Sequence, residues 1–148
     1  MAQTVGHGTS KHATLEIRAS TSATWVDCSG WAAAVTPSGG DHMVGDGHVF
    51  EGAWPLVALG KLNPLDWGIR VIYTEEDEEG ADLLHGFYEN QEQIDLRFRP
   101  FGASGWQYFI TGYVVGPCVP EADGDSGDLL TVDATVHGTG LELTRATT

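Results

Sequence analysis

The chain has 148 residues, the size of one globular domain, and 21 acidic against 7 basic side chains give it a formal charge of -14. Affinity for a phosphate backbone comes from Lys and Arg, so this balance excludes a tight nucleic-acid binder and favours a soluble surface that repels DNA. Two distant cysteines, Cys28 and Cys118, form no CxxC pair, which excludes a disulfide scaffold and leaves reduced thiols as the expectation.

Met1 to His12 is small, polar and Gly-rich without periodicity, and is expected to be a flexible arm ahead of a single domain over 13–148. It lacks the basic and apolar regions of a signal peptide. No apolar run approaches the roughly 20 residues of a membrane span, so assembly in a cytoplasm without a membrane partner is expected. Leu15 and Ile17 then alternate with Thr14, Glu16 and Arg18, the period of a half-buried strand. Thr24 to Cys28 and Trp31 to Pro37 read as two more strands, parted by a turn or bulge at Ser29-Gly30.

Ser38 to Asn63 interleaves six glycines with Met43, Val44, Val49, Phe50, Trp54, Leu56, Val57 and Leu59. It reads as a long loop without regular structure, yet one apolar enough to want burial; such loops are usually functional. Strand character resumes through Ile69, Val71 and Tyr73. Thr74-Glu75-Glu76-Asp77 then has the form of a helix start, with the acids Glu75 to Glu79 at the positive end of the dipole. Ala81, Leu84, Phe87 and Tyr88 recur at helical spacing, predicting one amphipathic helix that ends near Asn90.

Ile94, Leu96 and Phe98 alternate with Asp95, Arg97 and Arg99, and a turn over Pro100 to Gly105 leads into the run Trp106 to Val115, a strand pair. An acidic loop over Pro117 to Asp128 precedes a strand through Val132, Ala134 and Val136, and a last short strand is expected at Leu141 to Thr144. Seven or eight strands and one helix, with mostly antiparallel neighbours following each other in sequence, place the fold in the mainly β class.

No catalytic constellation emerges. Gly124-Asp125-Ser126-Gly127 suggests a serine-protease nucleophile, but Asp128 stands where a second glycine belongs and no histidine has a matching context. Asp123, Asp125 and Asp128 lack the glycine and distal acid of a calcium loop, and read more simply as an exposed acidic turn. His42 and His48, near Asp41 and Asp46, match no metal-ligand spacing. The glycine-rich stretches lack a following Lys-Ser or Lys-Thr and open no helix, so nucleotide binding has no support. The expectation is a non-enzyme without a cofactor.

The order of elements, with Phe87-Tyr88-Glu89-Asn90 running into Ile94 to Pro100, then Phe109-Ile110-Thr111-Gly112-Tyr113-Val114, Pro117, Pro120, and Leu129 to Gly140, resembles the tail tube (major tail) proteins of long-tailed bacteriophages. The resemblance is most specific over Ala81 to Gly138, and the front half matches in outline. It implies a virion structural subunit built as an antiparallel β-sandwich or barrel with one flanking α-helix, six to a ring, whose sheets join into an inner barrel and whose rings stack into a hollow tube in the tail, assembled in the host cytoplasm. It also implies the tape measure, tail terminator and tail tip proteins as partners, with DNA passing through without specific binding.

In that family the long loop reaches toward a neighbouring ring, which makes Phe50, Trp54 and Leu56 the candidate contact residues; the alternative is an Ω-like loop packed on its own domain. Asp133 and Glu142 are the candidate lumen-facing acids. Competing readings are a tail terminator or capsid decoration protein, a monomeric β-sandwich ligand-binding module using Trp25, Trp31, Trp54, Trp67 and Trp106, and a small β-barrel metalloenzyme using His42 and His48.

Overall fold

Alternation at Leu15 and Ile17 produces a strand, β1 (Thr14–Ala19), with both side chains buried and Glu16 and Arg18 on the other face. The computed structural model describes residues 12–102, 105–122, 124, 127 and 129–145. The arm expected over 1–12 therefore lies, His12 apart, outside the described residues. After β1 come β2 (Val26–Asp27), β3 (Ala32–Gly39), β4 (His42–Gly47), β5 (Leu56–Leu62), β6 (Leu65–Ile72), α1 (Gly80–Glu89), β7 (Gln93–Arg99), β8 (Trp106–Val114) and β9 (Thr131–Arg145). Among the described residues the fold is mainly antiparallel β with a single helix, as the patterning predicts, and its sheets do not close.

Seven strands form one antiparallel sheet in the order β2-β1-β7-β8-β9-β6-β3. The sheet curls over its apolar face. Trp67 on β6 meets Phe98 on β7 edge to face, with ring centroids 5.8 Å apart, although β8 and β9 lie between those strands. Leu15 on β1 and Val35 on β3, from opposite sides of the sheet, line one cavity. The segment joining these sides ties them together: Cys28 donates its N–H to the Leu15 carbonyl and Ile72 donates to the Trp31 carbonyl, each at 2.8 Å.

The inner face carries the core, with Ile17, Ile69, Val71, Ile94, Leu96, Ile110, Val132 and Val136 almost completely buried. Helix α1 adds Ala81, Leu84 and Phe87 at one end of it, against β6 and β8. A Cβ at Gly80 would stand 2.6 Å from the Trp31 ring, so the helix start needs a glycine to sit this close.

The structure departs from the sequence reading in four places. The segment read as an unstructured loop over 38–63 is a hairpin, β4 with β5, a two-stranded sheet of its own; its strands show no alternation because neither face is buried. The strand expected over Thr24 to Cys28 shrinks to Val26–Asp27, since Asp27 turns to accept the Ser29 N–H at 2.9 Å. The helix begins at Gly80 and not at Thr74. Glu78 has φ 63 and donates its N–H to the Asp82 carboxylate, Thr74 donates its hydroxyl to Glu79, and five adjacent carboxylates stay apart in a turn where a helix would stack them.

Lastly, the two strands expected near the C-terminus are one, β9. Its register against β8 steps from Gly112↔Gly138 to Ile110↔Leu141, so β9 holds one extra residue, and Gly140 there has φ 94. This bulge reverses the alternation: Val132, Ala134 and Val136 point inward before it, and Leu141 and Leu143 share the face of Ile110 and Tyr108 after it.

Asp95 is the one buried charged side chain among the described residues, and it is fully engaged. Arg18 Nε, the Ser20 hydroxyl and the Thr111 hydroxyl each donate to it at 2.9 Å. Asp95→Ala leaves the half-buried Arg18 without its partner and should cost about 3 kcal/mol in urea denaturation. Asp95→Asn, which still accepts from the hydroxyls, should cost less; a loss for the alanine variant below about 0.5 kcal/mol would mark the cluster as an ordinary surface pair.

Both cysteines are free and buried. Burial, with the neighbouring Asp27 carboxylate adding to it, pushes the Cys28 thiol up to about 12, and burial raises Cys118 as well. Neither should react with iodoacetamide at pH 8 in the folded protein, and both should react in denaturant; mass spectrometry reads the difference.

Candidate assembly surfaces

The hairpin β4–β5 is the apolar segment that the domain does not cover. Every described side chain from Asp41 to Trp54 is exposed, Trp54 by 84% and Phe50 completely, and Leu56, Val57, Leu59 and Leu62 are exposed along β5. The three sequence-predicted contact residues thus sit together, Phe50 and Trp54 in the connection between the strands and Leu56 at the start of β5. The strands hold each other through the register Val44↔Leu59 to Gly47↔Leu56, and His42 Nδ1 lies 3.2 Å from the Gly60 carbonyl. At the base, Gly40 donates to the Pro64 carbonyl at 3.0 Å and Asn63 to the Asp41 carbonyl at 2.7 Å, which ties the hairpin to β3 and β6. Uncovered Met, Val, Phe, Trp and Leu in one projecting element form an apolar surface of the kind that marks an interaction site.

The outer face of the main sheet is polar and laced with ion pairs. Asp133 and Glu142 both lie on it, on either side of the β9 bulge, so the structure brings the two predicted acids to one face. They differ electrostatically. Arg70 Nε bonds Asp133 at 2.9 Å and holds its carboxyl below the usual carboxylate range, which cancels its charge locally; Glu142 makes no ion pair among the described residues. Beside the first pair, His137 Nδ1 lies 2.5 Å from Asp66.

Farther across the same face, Glu16 pairs with Arg97 and Arg99, and Arg99 also donates to Gln107 at 2.9 Å. The Trp25 ring lies 4.3 Å from the guanidinium carbons of both Arg18 and Arg97 and meets Phe109 edge on. Burial, and then Arg99 beside it, lower the Arg97 guanidinium from its ordinary value. Sequence reading missed this cluster. The alternating Arg97 and Arg99 signalled a polar face, and nothing local signalled that Trp25 would fold over it.

Of the five tryptophans, Trp67 is in the core, Trp31 packs against it, Trp25 is engaged as described, and Trp54 and Trp106 are exposed. They do not form one platform. No group of three or more His, Cys, Asp or Glu side chains that could hold a metal ion occurs among the described residues. The acids Asp123, Asp125 and Asp128, and Ser126 between them, lie outside the described residues.

No family model matches the sequence, and no curated protein matches it. Solved structures do match the fold. A chain of the anti-feeding prophage (AFP) baseplate, determined by cryo-EM with six-fold symmetry, aligns over 100% of both chains with a TM-score of 0.62 and 7% identity. A chain of the sheath–tube complex of an extracellular contractile injection system, PVC, in its extended state, aligns over 95% of this chain and 94% of that one (TM-score 0.58, 11% identity). A chain of the PVC sheath/tube terminator in the extended state aligns over 95% and 99% (TM-score 0.61, 10% identity). At such identities the likeness establishes the architecture: this chain shares its fold with chains of these three assemblies.

Proposed function

We propose that the chain is a structural subunit of a tail tube, of a phage or a related injection device, which assembles into rings and stacks them into a hollow conduit. The observation that carries this reading is the uncovered apolar hairpin β4–β5, which projects from the domain with Phe50, Trp54 and Leu56 in water. A heterologous contact made by such an element repeats from copy to copy and so builds rings or filaments. The fold shared with chains from six-fold and tube-containing particles supports the same reading. The outer edge of β3, unpaired among the described residues, is available to a neighbouring sheet, and closing it in a ring removes an edge that would otherwise template uncontrolled pairing.

In this reading the polar face bearing Asp133 and Glu142 lines the bore. Of the two, Glu142 supplies net negative charge, since Arg70 neutralises Asp133. Across that face Arg18, Arg70, Arg97 and Arg99 are balanced by Glu16, Asp66, Asp95, Asp133 and Glu142, so such a bore offers a passing polyanion no net positive charge. A second reading, a subunit that caps or anchors a tube, is favoured by the baseplate and terminator assemblies to which two of the similar chains belong.

Size-exclusion chromatography with negative-stain electron microscopy over a rising concentration series tests both. Hollow tubes that lengthen with concentration are the expected result. Single rings that never stack favour the capping or anchoring subunit, and a protein that stays monomeric throughout counts against both.

A further inference from the structure

The core is closed at one end and open at the other. Helix α1 lies where β6 ends at Ile72 and β7 begins at Gln93, and covers that end with Ala81, Leu84 and Phe87. At the opposite end Pro37, Leu65, Trp67, Phe98, Tyr108 and Leu141 line a groove that is almost wholly apolar. Its apolar surface continues outward, because Leu141, Leu143 and Trp106, on the inner-face side of β8 and β9 beyond the bulge, are each about half exposed. No described element of the chain covers this end.

We infer that the groove is the receptor for the hairpin of a second copy: Phe50 and Trp54 of one subunit seat against Leu141, Tyr108 and Phe98 of the next. This rests on the self-assembly reading and adds to it where the hairpin goes. Three observations select a second copy as the occupant.

First, the chain carries both halves of the contact, a projecting apolar element and an uncapped apolar groove, and each leaves its side chains in water while the copies are apart. Second, the hairpin cannot fill its own groove. It springs from the rim, where Gly39 pairs with Leu65, and strands of this length carry its tip about 20 Å away, the span to a neighbouring domain.

Third, the charges match. The connection from His48 to Pro55 carries Glu51 beside Phe50 and no Lys or Arg. At the groove's outer rim Arg145 lies over the Trp106 ring at 5.8 Å and makes no ion pair among the described residues. On a chain of charge -14, this rim offers an incoming carboxylate an unpaired cation.

The test uses the full chain. With Cys28 and Cys118 buried, the double variant Ala53→Cys, Leu143→Cys, which places thiols beside the contact and keeps Trp54 and Leu141, is oxidised with copper-phenanthroline at concentrations that drive assembly. A ladder of covalent oligomers on a non-reducing gel, absent from either single variant, is the expected result. Leu141→Glu, at an exposed position, should leave the melting temperature within a few degrees of wild type and raise the concentration needed for half-assembly roughly tenfold or more. Wild-type-like assembly of Leu141→Glu together with no ladder would overturn the groove as receptor and leave self-assembly standing. A wild-type chain that never assembles removes both.

Discussion

Replacing Gly112 with valine should leave no folded protein, and replacing it with alanine should cost about 3 kcal/mol or more, at least the upper end of what overpacked cores lose. Gly112 on β8 faces Gly138 on β9 next to the bulge. A Cβ at position 112 would come within 2.7 Å of the Gly138 Cα and closer still to the His137 carbonyl oxygen. These are backbone atoms of a strand also bonded to β6, so neither can swing aside as a side chain would. The same mutation elsewhere gives the contrast. Gly116→Ala meets nothing within 4 Å and should change stability by no more than about 0.5 kcal/mol. Gly86→Ala, in the interior of α1 and also in open space, should stabilise by about 1 kcal/mol by removing backbone freedom from the unfolded chain. Urea denaturation of the three alanine variants checks the order; equal effects at Gly112 and Gly116 would show that β8 and β9 do not pack this closely.

Trp54→Ala is expected to abolish or sharply weaken assembly while the monomer keeps its melting temperature within about 2 °C. A surface side chain that touches little of its own domain contributes little to folding. Removing an aromatic anchor from a contact typically costs about 2 kcal/mol or more, roughly thirtyfold in the concentration at which subunits associate. Sedimentation over a concentration series measures this threshold, and calorimetry on the same samples measures the fold. If the variant assembled like wild type, Phe50 and Leu56 would have to carry the contact without it. If it unfolded, the hairpin would belong to the domain's own core, contrary to its exposure.

How far the sequence could be read follows from burial. Leu15 and Ile17, Ile94 and Leu96, and Val132 to Val136 each bury one face only, so their period of two survives in the sequence and their strands were found. The pattern at Ala81, Leu84 and Phe87 marks the helix for the same reason, while the cap chemistry of Thr74-Glu75-Glu76-Asp77 points to too early a start, because Thr74 bonds Glu79 within a turn at Glu78 ahead of the helix. Met43 to Leu62 is apolar on both faces and covered on neither, so it carried no period, and its hairpin was invisible. Phe50, Trp54 and Leu56 could still be named, since large apolar side chains among glycines need a surface wherever they lie. The groove could not be named: Pro37, Phe98 and Leu141 come from distant strands, and only the curl of the sheet makes them neighbours.

The hairpin's separation from the sheet has a kinetic side. Its two strands are bonded to each other and tied to the body only at their base, and a two-stranded ribbon on its own is marginally stable in water. Its amides should therefore open at little cost and exchange early, and those in the middle of β8 and β9, paired on both sides, should exchange late, an order that hydrogen exchange reads. In the proposed contact, docking would fix a segment that is held to its own subunit at the base, and the first contact would bear that entropy before any neighbour shares it. If the chain assembles as proposed, growth should begin with a lag and quicken on a surface where several docked hairpins already stand, and a preformed starting complex would then set both where a tube begins and when.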